Sequence, residues 1–144
     1  MKTVAELLRT KPTRAIVRVS PEQSVLEAIK ILAAENIGAA IVMSGERLAG
    51  IFSERDYTRK VILKGRASDT TRVEEIMTPN VVVVNPRTKT RDCMALMTEK
   101  NIRHLPVVDE GRVIGMVSIR DIVSDNIADQ DFTIEHLEHY ISGQ

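Results

Sequence analysis

Apolar and polar residues follow one another along this chain in short blocks whose spacing predicts strands and helices in turn. Apolar runs at residues 16–19, 39–43 and 48–52 have the length of strands, and the last two, joined by a short polar turn, predict a hairpin. Between the first run and the second, apolar residues recur at helical spacing: Val25, Ala28, Ile29 and Leu32. A second helix is predicted over about residues 53–64. The first half therefore reads strand, helix, strand, strand, helix.

The chain repeats itself at an offset of 65 residues. Residues 115–121, with the sequence GMVSIRD, restate residues 50–56, with the sequence GIFSERD. The same offset pairs further residues without a gap: Val17 with Val82, Val19 with Val84, Pro21 with Pro86, Asn36 with Asn101, Ile37 with Ile102, Val42 with Val107 and Arg47 with Arg112. A repeat this long sets the architecture. The elements predicted for the second half are a strand at 81–84, a helix ending at Asn101, strands at 105–108 and 113–117, and a helix from Ser118.

Polar side chains indicate where the helices begin. Residues 3–6, TVAE, form a capping box that predicts a short N-terminal helix, which Pro12 would end. Residues 20–23, SPEQ, combine an N-cap hydroxyl, a proline at the first helical position and a glutamine, so the next helix is predicted to start there. Residues 71–74 repeat the capping box of the first helix, and residues 85–86, NP, are the corresponding cap in the second half.

Composition narrows the class of protein. The 144 residues fit one domain and suffice to bury a core, which two half-size copies would have to share. Basic and acidic side chains number 20 each, so the zero net charge favours neither nucleic acid nor a membrane surface as a partner. The start lacks the apolar run of a signal peptide and no apolar run could span a bilayer, so a cytoplasmic protein is expected. The single cysteine, Cys93, lies in a helical apolar pattern and is expected to be buried.

Motifs in the second half resemble a known family. Residues 102–109, IRHLPVVD, followed by residues 111–121, resemble the second motif of a cystathionine β-synthase (CBS) domain pair, also called a Bateman module. Residues 75–79, EIMTP, with Val82 and Val84, are similar to the lead-in of that motif. The resemblance is specific because several spaced motifs recur in both copies.

The resemblance implies an α/β (α+β) fold of two tandem, pseudo-twofold CBS motifs, each β-α-β-β-α, that form one Bateman module. It extends over roughly residues 1–128. Residues 1–66 would be the first motif with the N-terminal helix and residues 67–128 the second motif. Residues 129–144 would form a C-terminal helix that docks on its own core or makes a dimer contact with a second subunit. The two sheets would pack face to face and leave two clefts between them.

Two serine–aspartate pairs, Ser53 with Asp56 and Ser118 with Asp121, open the helices that follow the hairpins. A capping box with aspartate in the third position explains each pair without any ligand. The other interpretation is chemical: a helix N-terminus presents free N–H groups and a positive dipole end to a phosphate, and an ionised carboxylate accepts the hydroxyl donors of a ribose diol. The resemblance implies the ligand-binding interpretation, with both aspartates on the ribose and both serines near ribose or phosphate.

Arg55 and Arg120 precede the two aspartates. They are either surface charges that pair with nearby carboxylates and contribute little, or phosphate ligands. We favour phosphate because a guanidinium matches phosphate oxygens bidentately. Family geometry would let an arginine from one half reach the nucleotide of the other. The same analogy places Arg103 and His104 at the cleft edge, where His104 is either a ligand contact or a satisfied structural histidine.

Adenine needs an apolar slot with a few backbone donors and acceptors rather than a dedicated side chain. The resemblance supplies residues for two such slots: Val17, Ile37, Gly38 and Ile51 in the first cleft, and Met77, Val82, Ile102 and Met116 in the second. Ala39 stands where the second copy has His104, so the two clefts are expected to differ in chemistry. Most of these side chains would be core residues in any case, so only their backbone positions carry the hypothesis.

Binding rather than turnover is the predicted function. The sequence has no P-loop, no paired-cysteine metal spacing and no nucleophile elbow, and no metal is predicted at His136 and His139 for want of a further ligand. The resemblance implies a non-catalytic energy or redox sensor that binds AMP, ADP, ATP or NAD(H), forms a homodimer and regulates a separate partner protein. The alternatives are a nucleotide-hydrolysing or phosphotransfer enzyme, a nucleic-acid-binding protein and a purely structural dimerisation module.

Overall fold

The computed structural model of the protein describes residues 2–10 and 16–127. Three expectations fall outside these residues: the end of the first helix at Pro12, the C-terminal helix of residues 129–144, and the histidine pair within it. The described residues form a mixed α/β structure of two halves in tandem, which confirms the predicted fold class. No helix in this part of the chain combines the length and the apolar character needed to cross a membrane.

The elements follow the order of the repeat. The first half contains α1 (Val4–Thr10), β1 (Arg18–Val19), α2 (Val25–Glu35), β2 (Ala39–Ser44), β3 (Arg47–Ser53) and α3 (Glu54–Tyr57), which continues as a π-helical turn, Thr58–Ile62. The second half contains α4 (Val73–Ile76), α5 (Thr90–Lys100), β4 (His104–Asp109), β5 (Arg112–Ser118) and α6, residues 119–127. In each half a helix starts directly where the hairpin ends, so the two serine–aspartate pairs lie at equivalent junctions.

The first half has a three-stranded sheet and the second a two-stranded sheet. β1 runs parallel to β2, β2 pairs antiparallel with β3, and β4 and β5 form the matching hairpin. The predicted strand at residues 81–84 is wrong except for one bridge, in which Val84 pairs with Val107. The residues before this bridge contact the first half instead, where Thr78 pairs with Ile51 of β3.

Two helices begin later than their capping motifs predict. Ser24 is the N-cap of α2, and the predicted cap at residues 20–23 forms a separate turn. In the same way α5 begins only at Thr90, after a turn. The first N–H groups of both helices donate to carbonyl oxygens of the other half, those of Thr71 and Lys2. At α5 the N-cap side chain makes no capping hydrogen bond, and local capping rules do not contain the long-range bond. α2 also has a local cap, because the Ser24 hydroxyl accepts the N–H three residues further on at 3.1 Å.

The cap of α4 also differs from the prediction. Arg72 is its N-cap, and the Glu75 carboxylate accepts the Arg72 backbone N–H at 2.6 Å. The Arg66 guanidinium donates to the same carboxylate at 2.6 Å. Both bonds lower the pKa of Glu75 below its ordinary value, and the bond from the Arg72 N–H has the larger effect. The box predicted at residues 71–74 is thus shifted by one residue, whereas α1 begins where its own box predicts.

Each half has a hydrophobic core that includes a helix from the other half. α4 contributes Val73 and Ile76 to the core of the first half. α1 contributes Val4 and Leu7 to the core of the second half. These side chains are at most 2% exposed, and burying one contributes about 1.5–3 kcal/mol. The division of the chain after residue 66 stays a prediction, but packing crosses it, so neither half has a complete core alone.

A backbone pairing joins β3 to the segment that follows α4. Ile51 and Thr78 exchange both of their N–H···O=C bonds, at 3.0 and 2.8 Å. Gly50 permits this approach, because a Cβ at that position would lie 2.6 Å from the Thr78 carbonyl oxygen. At the equivalent Gly115 an added Cβ would instead lie 3.3 Å from the end of the Leu8 side chain. An added side chain would therefore meet rigid backbone at Gly50 but a flexible side chain at Gly115.

We expect Gly50→Ala to destabilise the protein by about 1–3 kcal/mol, because the added Cβ must displace the backbone of Thr78. Gly115→Ala is the matched control, and its loss should stay under about 1 kcal/mol because a leucine side chain can rotate away. Urea-induced unfolding measures both losses. Equal losses at the two glycines would contradict a special role for this backbone pairing.

Cys93 is fully buried in the core of the second half, as predicted. Burial, with a smaller contribution from the charge of Asp92, raises the pKa of its thiol. Folding therefore favours the neutral thiol. This contribution to stability is present below the ordinary thiol pKa of 9.0 and is lost as the pH rises through the higher value of the folded protein.

We expect Ellman's reagent to modify the native protein at about pH 8 only as fast as the chain opens, because the thiol is both buried and protonated. Cys93 is the single cysteine of the chain, so the whole absorbance change reports on this site. Adding denaturant should raise the rate by on the order of tenfold or more. A native rate equal to the denatured rate would show that the thiol is accessible.

Candidate functional site

The two halves enclose a cleft of about 850 Å³. This volume lies within the usual range of small-ligand sites. The first half supplies Gly38, Ile51, Ser53, Glu54, Arg55, Asp56, Arg59 and Lys60, and the second supplies Thr78, Asn80, Val81, Val82, Asn101, Ile102, Arg103 and His104. A ligand in this cleft would therefore contact both halves at once.

Asp56 is a buried carboxylate in the cleft wall, only 8% exposed. Its Oδ2 accepts the backbone N–H and the hydroxyl of Ser53, each at 3.0 Å, and the Ser53 hydroxyl accepts the N–H of Asp56 at 3.1 Å. A serine and an aspartate three residues apart form this box because both reach the N–H groups of one helix start. The capping interpretation is confirmed for Asp56, and any ligand role depends on its other oxygen.

The second oxygen, Oδ1 of Asp56, contacts residues that the sequence analysis missed. The Thr78 hydroxyl donates to it at 3.2 Å, and the Lys60 ammonium lies 3.0 Å away. Lys60 follows Asp56 by four residues, a spacing that brings side chains together on one helix face and could have indicated the pair. Thr78 could not have been found in this way, because it comes from the other half through its pairing with Ile51.

Two N–H groups at the start of α3, those of Glu54 and Asp56, already have acceptors within the protein. The Glu54 N–H donates to the Gly38 carbonyl at 3.0 Å, and the Asp56 N–H donates to the Ser53 hydroxyl in the capping box. The repeat places the same bond in the second half, from the Ile119 N–H to the Arg103 carbonyl at 2.9 Å. Because α3 itself has only four residues, its dipole is also small. Attraction of a phosphate to this cleft therefore depends mainly on its charged side chains.

The cleft carries more positive than negative charge. Its lining includes the cations Arg55, Arg59, Lys60 and Arg103 and the carboxylates Glu54 and Asp56. Arg55 crosses to the second half, where its guanidinium donates to the Asn101 carbonyl at 3.0 Å. His104 of the second half lies beside Gly38 of the first, since a Cβ added there would be 3.9 Å from the imidazole Cε1. The excess positive charge favours an anionic ligand.

Comparison with known proteins identifies the family. The CBS domain family matches residues 4–62 and 73–125, which are the two repeated halves. The chain belongs to the CBS domain family. The mitochondrial CBS domain-containing protein CBSX3 of Arabidopsis thaliana is 38% identical over 149 residues, covering 98% of this chain and 72% of the relative. The resemblance predicted from the motifs is thus confirmed.

Solved structures of CBS proteins share the fold. A CBS-domain protein of Burkholderia ambifaria is 52% identical, with a TM-score of 0.87, over 90% of this chain and 96% of that one. A CBS domain protein of Pyrobaculum aerophilum, solved in complex with AMP, is 25% identical, with a TM-score of 0.73, over 83% of this chain and 88% of that one. The fold therefore extends over both halves of the described structure.

The CBS pair brings nine of the predicted ligand residues together in one cleft. They are Gly38, Ile51, Ser53, Arg55, Asp56, Val82, Ile102, Arg103 and His104. The resemblance assigned Val82 and Ile102 to the second cleft, but both lie with Asp56, because the wall opposite Asp56 comes from the second half. The structure therefore groups these two residues with the first aspartate.

Other predicted slot residues of the CBS pair do not line this cleft. Ala39 is fully buried in β2, and Val17, Ile37 and Met77 pack against the core of the first half. Met116 is half-buried in β5. Core packing accounts for the first four, as expected for apolar side chains in or next to strands and at helix ends.

The second serine–aspartate pair of the CBS pair repeats the capping box. The Ser118 N–H donates to Asp121 at 2.9 Å, and the Asp121 N–H donates to the Ser118 hydroxyl at 3.1 Å. Arg120 is exposed beside them. By the offset of the repeat, the counterpart of Thr78 falls within residues 11–15, which lie outside the described residues. The second cleft therefore stays a prediction.

The described residues hold no candidate metal site. Within residues 2–10 and 16–127, no three His, Cys, Asp or Glu side chains lie close enough together to bind a metal ion. A zinc site in a protein usually has at least three such ligands.

We expect Asp56→Ala to lower the free energy of unfolding of the ligand-free protein by about 1–2 kcal/mol, because it removes the capping box and the acceptor shared by Thr78 and Lys60. Glu54→Ala is the matched control, since it removes an exposed carboxylate from the same helix start, and should cost no more than about 0.5 kcal/mol. Urea unfolding followed by circular dichroism measures the difference. A loss as small as that of the control would mean that the box contributes no stability.

Proposed function

We propose that this CBS pair is a non-catalytic regulatory module that binds an adenine nucleotide between its halves and acts on a separate partner protein as an energy or redox sensor. The observation that carries the proposal is the position of Asp56 Oδ1 in a cleft with four cationic side chains. A carboxylate accepts the hydroxyls of a ribose diol, and clustered cations bind phosphate. Both chemistries meet in this one cleft.

The proposed ligand uses three parts of the cleft. Its ribose hydroxyls donate to Oδ1 of Asp56. Its phosphate lies among the cations, with Arg55 from the first half and Arg103 from the second on either side. Its adenine ring packs on the apolar part of the lining, which consists of Ile51, Val82 and Ile102. In this arrangement the ribose, the phosphate and the adenine of a nucleotide each contact side chains of suitable chemistry.

The relative from Pyrobaculum aerophilum that is complexed with AMP supports an adenosine-containing ligand. AMP, ADP, ATP and NAD(H) all combine a ribose diol with phosphate, so the chemistry of the cleft fits each of them. A redox sensor would distinguish NAD⁺ from NADH, and an energy sensor would distinguish AMP from ATP. The proposal includes both forms of sensing.

Regulation is proposed to follow from contacts that cross between the halves. The bond from Arg55 to Asn101 and the pairing of Ile51 with Thr78 both border the cleft. A ligand that binds one arrangement of the halves better than another shifts the equilibrium by the difference in its affinity. The partner would then respond to the favoured arrangement.

The homodimer is also part of the proposal, and it is supported by an exposed apolar stripe on α6. Ile119, Val123 and Ile127 recur every four residues there and are 38–53% exposed. Ile62 and Leu63, at the end of the π-helical turn, are exposed as well. A continuous apolar stripe on a helix surface is typical of an interaction site, so a second copy of the chain is proposed to cover it.

We expect at least one of AMP, ADP, ATP, NAD⁺ and NADH, each added alone, to raise the unfolding temperature, because a ligand at about 100 times its Kd stabilises the folded state by about 2.7 kcal/mol. Thermal shift measures the effect. Asp56→Ala should abolish it for a ligand in the described cleft, whereas Asp69→Ala, which removes an exposed carboxylate outside the lining of that cleft, should keep it. Asp121→Ala tests the second cleft in parallel.

Each variant is compared with its own melting temperature without ligand, because Asp56→Ala also alters the cap. Guanine nucleotides serve as the ligand control. A melting temperature unchanged by every adenylate, or a full shift in the Asp56→Ala and Asp121→Ala double variant, would contradict the proposal. Product formed from ATP and Mg²⁺ would contradict its non-catalytic part.

A further inference from the structure

Lys60 is the cation in contact with the proposed ribose acceptor. It lies in the π-helical turn Thr58–Ile62, where it and its neighbour Arg59 both line the cleft. Its ammonium lies 3.0 Å from Asp56 Oδ1 and donates to the Ile76 carbonyl at 3.0 Å. π-helical turns are rare and occur frequently at functional sites. Lys60 thus connects the carboxylate to α4 of the other half.

The carboxylate of Asp56 is fully engaged without a ligand. A carboxylate has about four lone-pair sites. Ser53 uses two through Oδ2, and Thr78 and Lys60 use two through Oδ1. A ribose diol must therefore displace a donor from Oδ1. Lys60 is the donor that can leave, because its side chain is 44% exposed and turns about several single bonds.

A displaced ammonium needs another anion. The ribose hydroxyls replace the hydrogen bond that Lys60 made to Asp56, but they carry no charge to pair with the lysine. A phosphate on the same ribose supplies that charge and accepts a charge-assisted hydrogen bond. A nucleotide therefore satisfies both groups, Asp56 and Lys60, whereas adenosine satisfies only the carboxylate.

The second half shows that the fold does not require a lysine at this position. At the offset of the repeat, the counterpart of Lys60 is Asp125 and that of Arg59 is Ser124. Asp125 forms an ion pair with Lys2 at 2.6 Å. The same helix position thus supports either sign of charge, and a cation at residue 60 is specific to the first half.

We propose that Lys60 selects phosphorylated adenosine over adenosine by exchanging Asp56 for a phosphate of the ligand. Without ligand, the lysine occupies the ribose acceptor; with a nucleotide bound, it contacts phosphate. This inference rests on the proposed function and deepens it by naming the residue that distinguishes a nucleotide from its nucleoside and the exchange of partners by which it does so. It makes Lys60 a specificity residue of the cleft.

Isothermal titration calorimetry with adenosine and with AMP tests the inference. The wild-type protein should bind AMP more tightly than adenosine. Lys60→Met keeps the length of the side chain but removes its charge, so the ratio of the two affinities should fall about tenfold, as expected for the loss of one charge-assisted hydrogen bond. Lys60→Arg retains the charge and should keep most of the ratio.

Lys64→Met is the matched control, because Lys64 is exposed and does not line the cleft. Its ratio of affinities should equal that of the wild type. Circular dichroism and the melting temperature without ligand check that each variant folds. Adenosine affinity should hold or rise in Lys60→Met, since the diol no longer competes with the ammonium.

The outcomes separate this inference from the proposed function. If the wild type binds AMP and Lys60→Met keeps the wild-type ratio, the inference is overturned and the proposed function stands. If Lys60→Met weakens AMP and adenosine equally, the lysine has only a structural role, which also overturns the inference. If the wild type binds no adenosine-containing ligand at all, the proposed function fails.

Discussion

The backbone pairing of Ile51 with Thr78 determines where the two halves of this CBS pair meet. It depends on Gly50, because any side chain there would collide with the Thr78 carbonyl. The pairing places the Thr78 hydroxyl on Asp56 and leads the following residues, 80–82, along the opposite wall of the cleft. Without it, the aspartate would merely begin a helix at the surface of one half. The candidate site is thus a product of the contact between the halves.

The exchange of helices between the two cores connects stability to the same contact. α1 completes the core of the second half and α4 completes that of the first. The last residue of α4, Ile76, is buried in the core of the first half, and its carbonyl accepts the bond from Lys60 at the cleft. A group that moves Lys60 therefore acts on a segment that is part of a core. The proposed ligand would thus have a physical route to the arrangement of the halves.

The two oxygens of Asp56 have different partners, so a helix cap and the proposed ligand site are compatible at this residue. Oδ2 completes a local capping box that Asp121 repeats in the second half. Oδ1 faces partners distant from that box, among them Thr78 from the other half. Capping therefore does not exclude a role in binding. The duplicated motif preserves the cap, while its surroundings differ, with Lys60 in one half and Asp125 in the other.

Local spacing in the sequence was enough to predict the repeat, the order of the elements apart from the strand at residues 81–84, the possibility of both serine–aspartate boxes and the burial of Cys93, and motif resemblance predicted membership of the CBS family. These features depend on residues close together along the chain, or on one chain segment resembling another. Tertiary structure alone decided the start of α5, the loss of the strand at residues 81–84, and the grouping of Val82 and Ile102 with Asp56. Each of these depends on hydrogen bonds or packing between segments far apart in the chain. Periodicity and capping rules describe a segment by itself, so they contain no information about which distant carbonyl or side chain will face it.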